Sequence, residues 1–218
     1  MKIYLGSTGG TMRRLFRLPL FARRHVVLIF TLVAVCLPRV SSPAIAASPP
    51  CAGTELATAK SAMVVAKEAL TAAIAALDSS ENDILDTAAT WLGVRSSSDA
   101  QAAKGVLQRA LTLASDPSYL CDNSTYRRLR DVYAHVAPTD PFVIKLGAFF
   151  WPAPDRGYDS KPGALVHEMT HFGLVGATRD LARDLASSRA LAQSNPADAR
   201  ANANNYEYFV EAVAFGLR

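Results

Sequence analysis

His167-Glu168-Met169-Thr170-His171 places two histidines four residues apart with a glutamate between them. Apolar residues flank the run: Gly163-Ala164-Leu165-Val166 before it and Phe172-Gly173-Leu174-Val175 after it. On a helix, positions four apart share a face. Both imidazoles can then reach one Zn²⁺ at about 2.0–2.1 Å. Glu168 falls on the same turn, where it can take a proton from a water that the metal activates. The pattern implies zinc-dependent hydrolysis of a peptide bond. The pentapeptide is short, and alone it also fits a solvated helix edge, so its surroundings must decide.

A catalytic zinc usually takes three protein ligands and leaves one position for water. Past residue 46 the histidines are His135, His167 and His171. The spacing HExxHxxGxxH fails, because Leu174 and Ala177 stand where Gly and the third His would be. A downstream helical glutamate, Glu207 or Glu211, could complete the set. So could Asp180 in Gly176-Ala177-Thr178-Arg179-Asp180. His135 reads as a strand histidine.

The elements that must position these residues begin after a segment of different character. Arg13, Arg14, Arg17, Arg23 and Arg24 precede an apolar run from His25 to Leu37, and Ala44-Ile45-Ala46 fits a small-residue cleavage site. Residues 1–46 therefore read as a signal peptide, with Met12 an equally good start. The apolar run is short for a membrane span of about 20 residues. Seven of the 23 Lys and Arg residues lie in this segment and none of the 19 Asp and Glu. Residues 47–218 then carry 16 basic against 19 acidic groups, a formal net of −3. That charge offers no basic footprint for nucleic acid and no membrane patch. Residues 47–218 suit one domain with its own core. Cys51 and Cys121 are the cysteines of that domain, and in an exported chain they suggest one disulfide.

Helical spacing of Leu56, Met63, Ala66, Leu70 and Ile74 predicts a helix from Cys51 to about Ser79. A second runs from the Ser79–Asp83 region to Leu92, with Gly93 as its C-cap. A third starts at Ser98 or Asp99 and ends near Ser115, before Asp116-Pro117. Ser118–Cys121, Asp131–Val136 and Phe142–Leu146 read as short strands. Asp159 or Ser160 caps the HExxH helix, with Pro162 in its first turn. Further helices are expected from Thr178 or Asp180 to about Ala192 and from Ala199 to Phe215, separated by Ser194-Asn195-Pro196. The Arg127-Arg128-Leu129-Arg130 run reads as a solvated turn. Trp91, Trp151 and the Tyr206-Tyr208-Phe209 cluster read mainly as packing. The expected class is α+β, predominantly helical, with a small antiparallel sheet.

Several separated motifs resemble one known family. Phe149-Phe150, Gly157, Ser160, Gly163 and Leu165 to Phe172 are similar to the deuterolysin and peptidyl-Lys metalloendopeptidase family, the aspzincins. So are Gly176 to Asp180, Ser194-Asn195-Pro196, and Asn202 to Phe209. The resemblance implies a zincin-like domain, one Zn²⁺ per chain held by His167, His171 and Asp180, Glu168 as base, and a Cys51–Cys121 disulfide. It implies an exported zinc metalloendopeptidase, secreted or periplasmic. Such a protein acts on protein or peptide substrates and is expected to be a monomer, without nucleic-acid or membrane partners once the signal is removed. Two departures stand out. Arg183 occupies the position of a family Tyr that helps hold the oxyanion; Arg183 itself, Tyr206 or Tyr133 is the candidate replacement. Asn204 occupies the place of one of two acidic residues that accept lysine, while Glu207 keeps the other. The expected preference for lysine or another basic residue near the cut is weakened accordingly. The alternative expectation is a zinc-binding, catalytically weak module that holds a peptide or partner.

Overall fold

Alanine supplies most of the buried face of α1 (Gly53–Ala76). Ala59, Ala62, Met63, Ala66, Ala69, Leu70, Ala73 and Ala76 recur at three- and four-residue spacing and are buried. Small side chains let neighbouring helices approach closely. The computed structural model describes residues 48–121, 131–140 and 142–218. The signal-like residues 1–46 and the Arg127–Arg130 run lie outside the described residues.

Two more helices follow, α2 (Asn82–Leu92) and α3 (Ser97–Leu113). Gly93 ends α2 in the left-handed conformation, at φ 59°. Ser96 caps α3, its side chain accepting from the backbone N–H of Asp99. The cap thus falls ahead of the Ser98 or Asp99 expected from sequence. Trp91, on α2, packs between Tyr158 and Tyr208 with ring centroids at 5.6 and 5.2 Å.

Among the described residues the sheet has three strands, β1 (Ser118–Cys121), β2 (Ala134–His135) and β3 (Val143–Leu146), in the order β1-β3-β2. β2 pairs antiparallel to β3, but β1 pairs parallel to it, with Tyr119 opposite Ile144. The sheet is therefore mixed, not antiparallel. Alternating burial identifies a strand but carries no direction. The predicted strand over Asp131–Val136 shortens to Ala134–His135.

A disulfide joins Cys51 to Cys121 across a sequence separation of 70. The backbone supports it: Cys51 N–H donates to Tyr119 O and Cys121 N–H to Pro49 O, both at 2.9 Å. The bond ties the chain entering α1 to strand β1.

Four further helices complete the described chain: α4 (Lys161–His171), α5 (Leu185–Ser194), the single turn α6 (Pro196–Ala199) and α7 (Ala203–Phe215). Helix α4 packs against α7, α1 and α3. Leu165, Val166, Met169, Phe172, Tyr208, Phe209 and Val210 are buried in the common core. Gly163 faces α7 so closely that a Cβ there would overlap the Glu211 carboxylate. That carboxylate is anchored by three donors described below and cannot swing aside cheaply. Gly163→Ala is expected to cost about 1–3 kcal/mol by overpacking. This would lower the melting temperature by about 2–4 °C per kcal/mol, as a thermal melt followed by circular dichroism would show.

The helix expected from Thr178 or Asp180 begins only at Leu185. Residues 178–184 instead form an extended strap. Ala177 turns the chain into it at φ 48°. Arg179 N–H donates to Ala201 O, and Ala203 N–H donates to Arg179 O. The Asn202 side-chain carbonyl accepts from the N–H groups of Leu181 and Ala182 at 2.7 and 3.2 Å. These partners satisfy the backbone without a helix. Asp184 then starts α5 through a capping box with Ser187.

Candidate metal centre

Ser160 sets the start of the HExxH helix. Its hydroxyl accepts from Gly163 N–H at 3.1 Å, and Pro162 occupies the first turn. Ser160 is itself held by Glu211 of α7. The Glu211 carboxylate accepts from Ser160 N–H at 2.9 Å, Ser160 Oγ–H at 2.6 Å and Asp159 N–H at 3.2 Å. One buried carboxylate thus fixes where α4 begins and how it is rotated.

At the other end of α4 the two imidazoles converge. His167 Nε2 and His171 Nε2 are 3.1 Å apart. Asp180 reaches the same point from the strap, its Oδ1 lying 3.2 Å from His167 Nε2 and 3.1 Å from His171 Nε2. The outer ring nitrogens are occupied. His171 Nδ1 donates to Thr178 O at 2.8 Å, a partner that can only accept. His167 Nδ1 lies 3.0 Å from Glu207 Oε2. With protons on both Nδ1 atoms, two nitrogen lone pairs and a carboxylate oxygen face one another. Three such donors repel unless a positive charge sits among them.

The triangle also has the size of a zinc site. Ligands at about 2.0–2.1 Å in a tetrahedron lie roughly 3.3–3.4 Å from one another. His167, His171 and Asp180 are the group of His, Cys, Asp and Glu side chains that could hold a metal among the described residues. The donor set, two neutral imidazoles and one carboxylate, suits Zn²⁺. Glu207 and Glu211 were the other ligand candidates on sequence grounds, and neither carboxylate joins the triangle. His135 lies on β2 and is not in it either.

The electrostatics favour a cation at this point. Burial opposes protonation of His167, but the carboxylates of Asp180 and Glu207 outweigh it and push its pKa up to about 10. His171 moves in the same direction, burial again opposing and Asp180 prevailing. Hydrogen bonds from His167 and His171 hold the Asp180 carboxyl well below the usual carboxylate range. Burial raises the pKa of Glu168.

A cleft of about 260 Å³ opens beside the triangle. His167, Glu168 and Asp180 face it, with Tyr133, Asp159, Asn204, Glu207 and Arg183 on its walls. Arg183 is on the strap with its side chain 77% exposed, and its Nη2 is 3.5 Å from Asp180 Oδ2. Asn204 Nδ2 donates to Glu207 Oε2 at 3.2 Å. Tyr208 Oη donates to Asp159 Oδ1 at 3.1 Å.

Tyr206 does not reach the cleft. It is buried, and its hydroxyl donates to Arg200 O at 3.1 Å. Asn204, Glu207 and Glu211 fall at i, i+3 and i+7 on one face of α7, and Tyr206 lies off that face. The same periodicity in the sequence excludes Tyr206 from the cleft and groups Glu211 with Glu207. Sequence reasoning read Asp159 only as a possible helix cap, and it did not single out the Thr178 carbonyl within the Gly176–Asp180 motif.

Glu211 bears a titration consequence. Burial, then the charge of Glu207, pushes its pKa up to about 9. A raised carboxyl pKa means that folding favours the protonated form. The associated stability is complete below about pH 4.5 and is lost as the pH rises through about 9. Glu211→Gln should flatten this decline. Thermal melts of the metal-free protein at pH 5 and pH 9 should differ less for the variant than for the wild type.

Comparison with known proteins agrees with this geometry. The family profile described as lysine-specific metallo-endopeptidase, the aspzincin profile, matches residues 78–211. A peptidyl-Lys metalloendopeptidase of Armillaria mellea is 44% identical over 81 residues, 37% of this chain and 23% of that protein. An extracellular protease of Aeromonas hydrophila is 44% identical over 79 residues, 36% of this chain and 23% of that protein. The chain thus spans about a quarter of the length of these two relatives. The solved zinc peptidase from Grifola frondosa superposes with a TM-score of 0.67 at 28% identity, covering 74% of this chain and 97% of that one. With three donors converging beside a buried glutamate, on a fold shared with a zinc peptidase, the chain belongs to the aspzincin family of metallo-endopeptidases.

Proposed function

We propose that the protein is an exported zinc metalloendopeptidase. The observation that carries this reading is the convergence of His167 Nε2, His171 Nε2 and Asp180 Oδ1 within 3.2 Å of one another. One zinc per chain held there would lower the pKa of a bound water toward 7 and polarise the scissile carbonyl. Glu168 takes the proton of the attacking water and returns it to the leaving amine. Glu168 is buried beside the three converging donors and faces the cleft, the place such a base must occupy. Arg183, exposed at the cleft wall, supplies positive charge where the carbonyl oxygen becomes an oxyanion. Tyr133 lines the same cleft and is the other candidate for that task.

Asp159, Glu207 and Asn204 form an acidic and amide-bearing wall. This supports a preference for lysine or another basic residue beside the cut, with Asn204 providing a neutral contact. Residues 1–46 act as a signal peptide and residues 47–218 form the peptidase domain, a secreted or periplasmic monomer acting on proteins or peptides. No helix among the described residues is long and apolar enough to cross a membrane.

The test is metal content of the chain from residue 47, with casein cleavage read on the same samples. One zinc per chain and cleavage abolished by a chelator are expected. Zinc without cleavage of any protein substrate would favour a peptide-holding module instead. Absence of zinc would remove both readings.

A further inference from the structure

We infer that Glu207 is a positioning residue of the metal centre, orienting the His167 ring from the far side. The inference rests on the reading of His167, His171 and Asp180 as zinc ligands. The two imidazoles are steadied differently. His171 Nδ1 donates to a backbone carbonyl, that of Thr178. His167 Nδ1 faces a carboxylate oxygen of Glu207 at 3.0 Å, from a helix 40 residues further along the chain. A carboxylate behind a ligating imidazole fixes its tautomer and raises its basicity.

Glu207 is well held for that task. It is 5% exposed. The oxygen that meets His167 also accepts from Asn204 Nδ2 at 3.2 Å, a second hold on the same atom. Helix α7 is braced against α4 a second time through Glu211 and Ser160. The imidazole and its partner therefore belong to two helices joined by side-chain contacts at two points, one turn apart on α7. Beyond any contact with substrate, Glu207 keeps the His167 Nε2 lone pair aimed at the point shared with His171 and Asp180.

Zinc affinity separates this role from a purely substrate-binding one. Competition with a chromogenic chelator would measure the zinc Kd of wild type, Glu207→Gln and Glu207→Ala. Loss of an outer-shell partner of this kind typically weakens metal binding by about 10–100-fold. The alanine variant is expected in that range. The glutamine variant, which keeps an acceptor but not the charge, is expected to be intermediate and at least about threefold weaker than wild type. The Co²⁺-substituted proteins should show a matching shift of the visible absorption bands. If Glu207→Ala does not fold, the glutamine variant decides alone. Zinc binding within twofold of wild type in every folded variant would overturn the inference, even if cleavage before lysine were impaired. A wild type that binds no zinc would instead overturn the underlying reading of the site.

Discussion

Glu168→Gln is expected to keep its zinc while turnover of a protein substrate falls by about 10²–10⁴-fold, the contribution of a positioned general base. Glu168 is buried beside the converging donors and faces the cleft, but it is not one of the three. The substitution therefore leaves the metal-binding atoms in place. Glutamine matches the shape of glutamate, so the packing of α4 should survive. What is lost is a group that can accept a proton. Zinc content should remain at wild-type level, KM should change little, and kcat should carry the loss. Full activity in this variant would refute the assignment of the base. Loss of zinc would mean that Glu168 holds the site together rather than serving the reaction.

Asp180→Ala should act through the metal instead. It removes one of three donors and the negative charge on which both imidazoles depend. The loss of zinc affinity should exceed the roughly 10–100-fold typical of an outer-shell partner. Cleavage should vanish at limiting zinc and return in part at high zinc. The fold should change less than the affinity. Asp180 lies on the strap, whose backbone is held by Ala201, Arg179 and Asn202 rather than by its own side chain. A variant that bound zinc as tightly as wild type would exclude Asp180 as a ligand.

The two substitutions fail in distinguishable ways, and that contrast reflects how the site is built. The imidazoles and the base were legible in the sequence, because HExxH on an apolar helix leaves few arrangements. Helices α1, α2 and α4 were legible through apolar residues at three- and four-residue spacing, α2 also through its Gly93 C-cap and α4 through its Ser160 N-cap. Asp180 was reached by family resemblance, since residue types alone left Glu207 and Glu211 open. The residue types of the strap that carries it predict a helix, which in the structure begins only at Leu185. Those helix-compatible residues are held instead by tertiary partners: Arg179 bridges to Ala201 and Ala203, and the Asn202 side chain accepts from the N–H groups of Leu181 and Ala182. The direction of β1 was equally hidden, because strand alternation is the same in parallel and antiparallel pairs. The contact between His167 and Glu207 joins distant helices and depends on how they are rotated against each other. Local periodicity places Glu207 on the correct face of α7 but does not name its partner.

The Cys51–Cys121 bond gives the molecule a tolerance for being cut. Everything from α1 to β1 lies inside the loop that the bond closes. Lys60 and Lys67 are exposed on α1, within that loop. A single nick at either would leave both fragments joined through the disulfide. Such a clipped molecule would migrate as one species until a reductant separated its pieces.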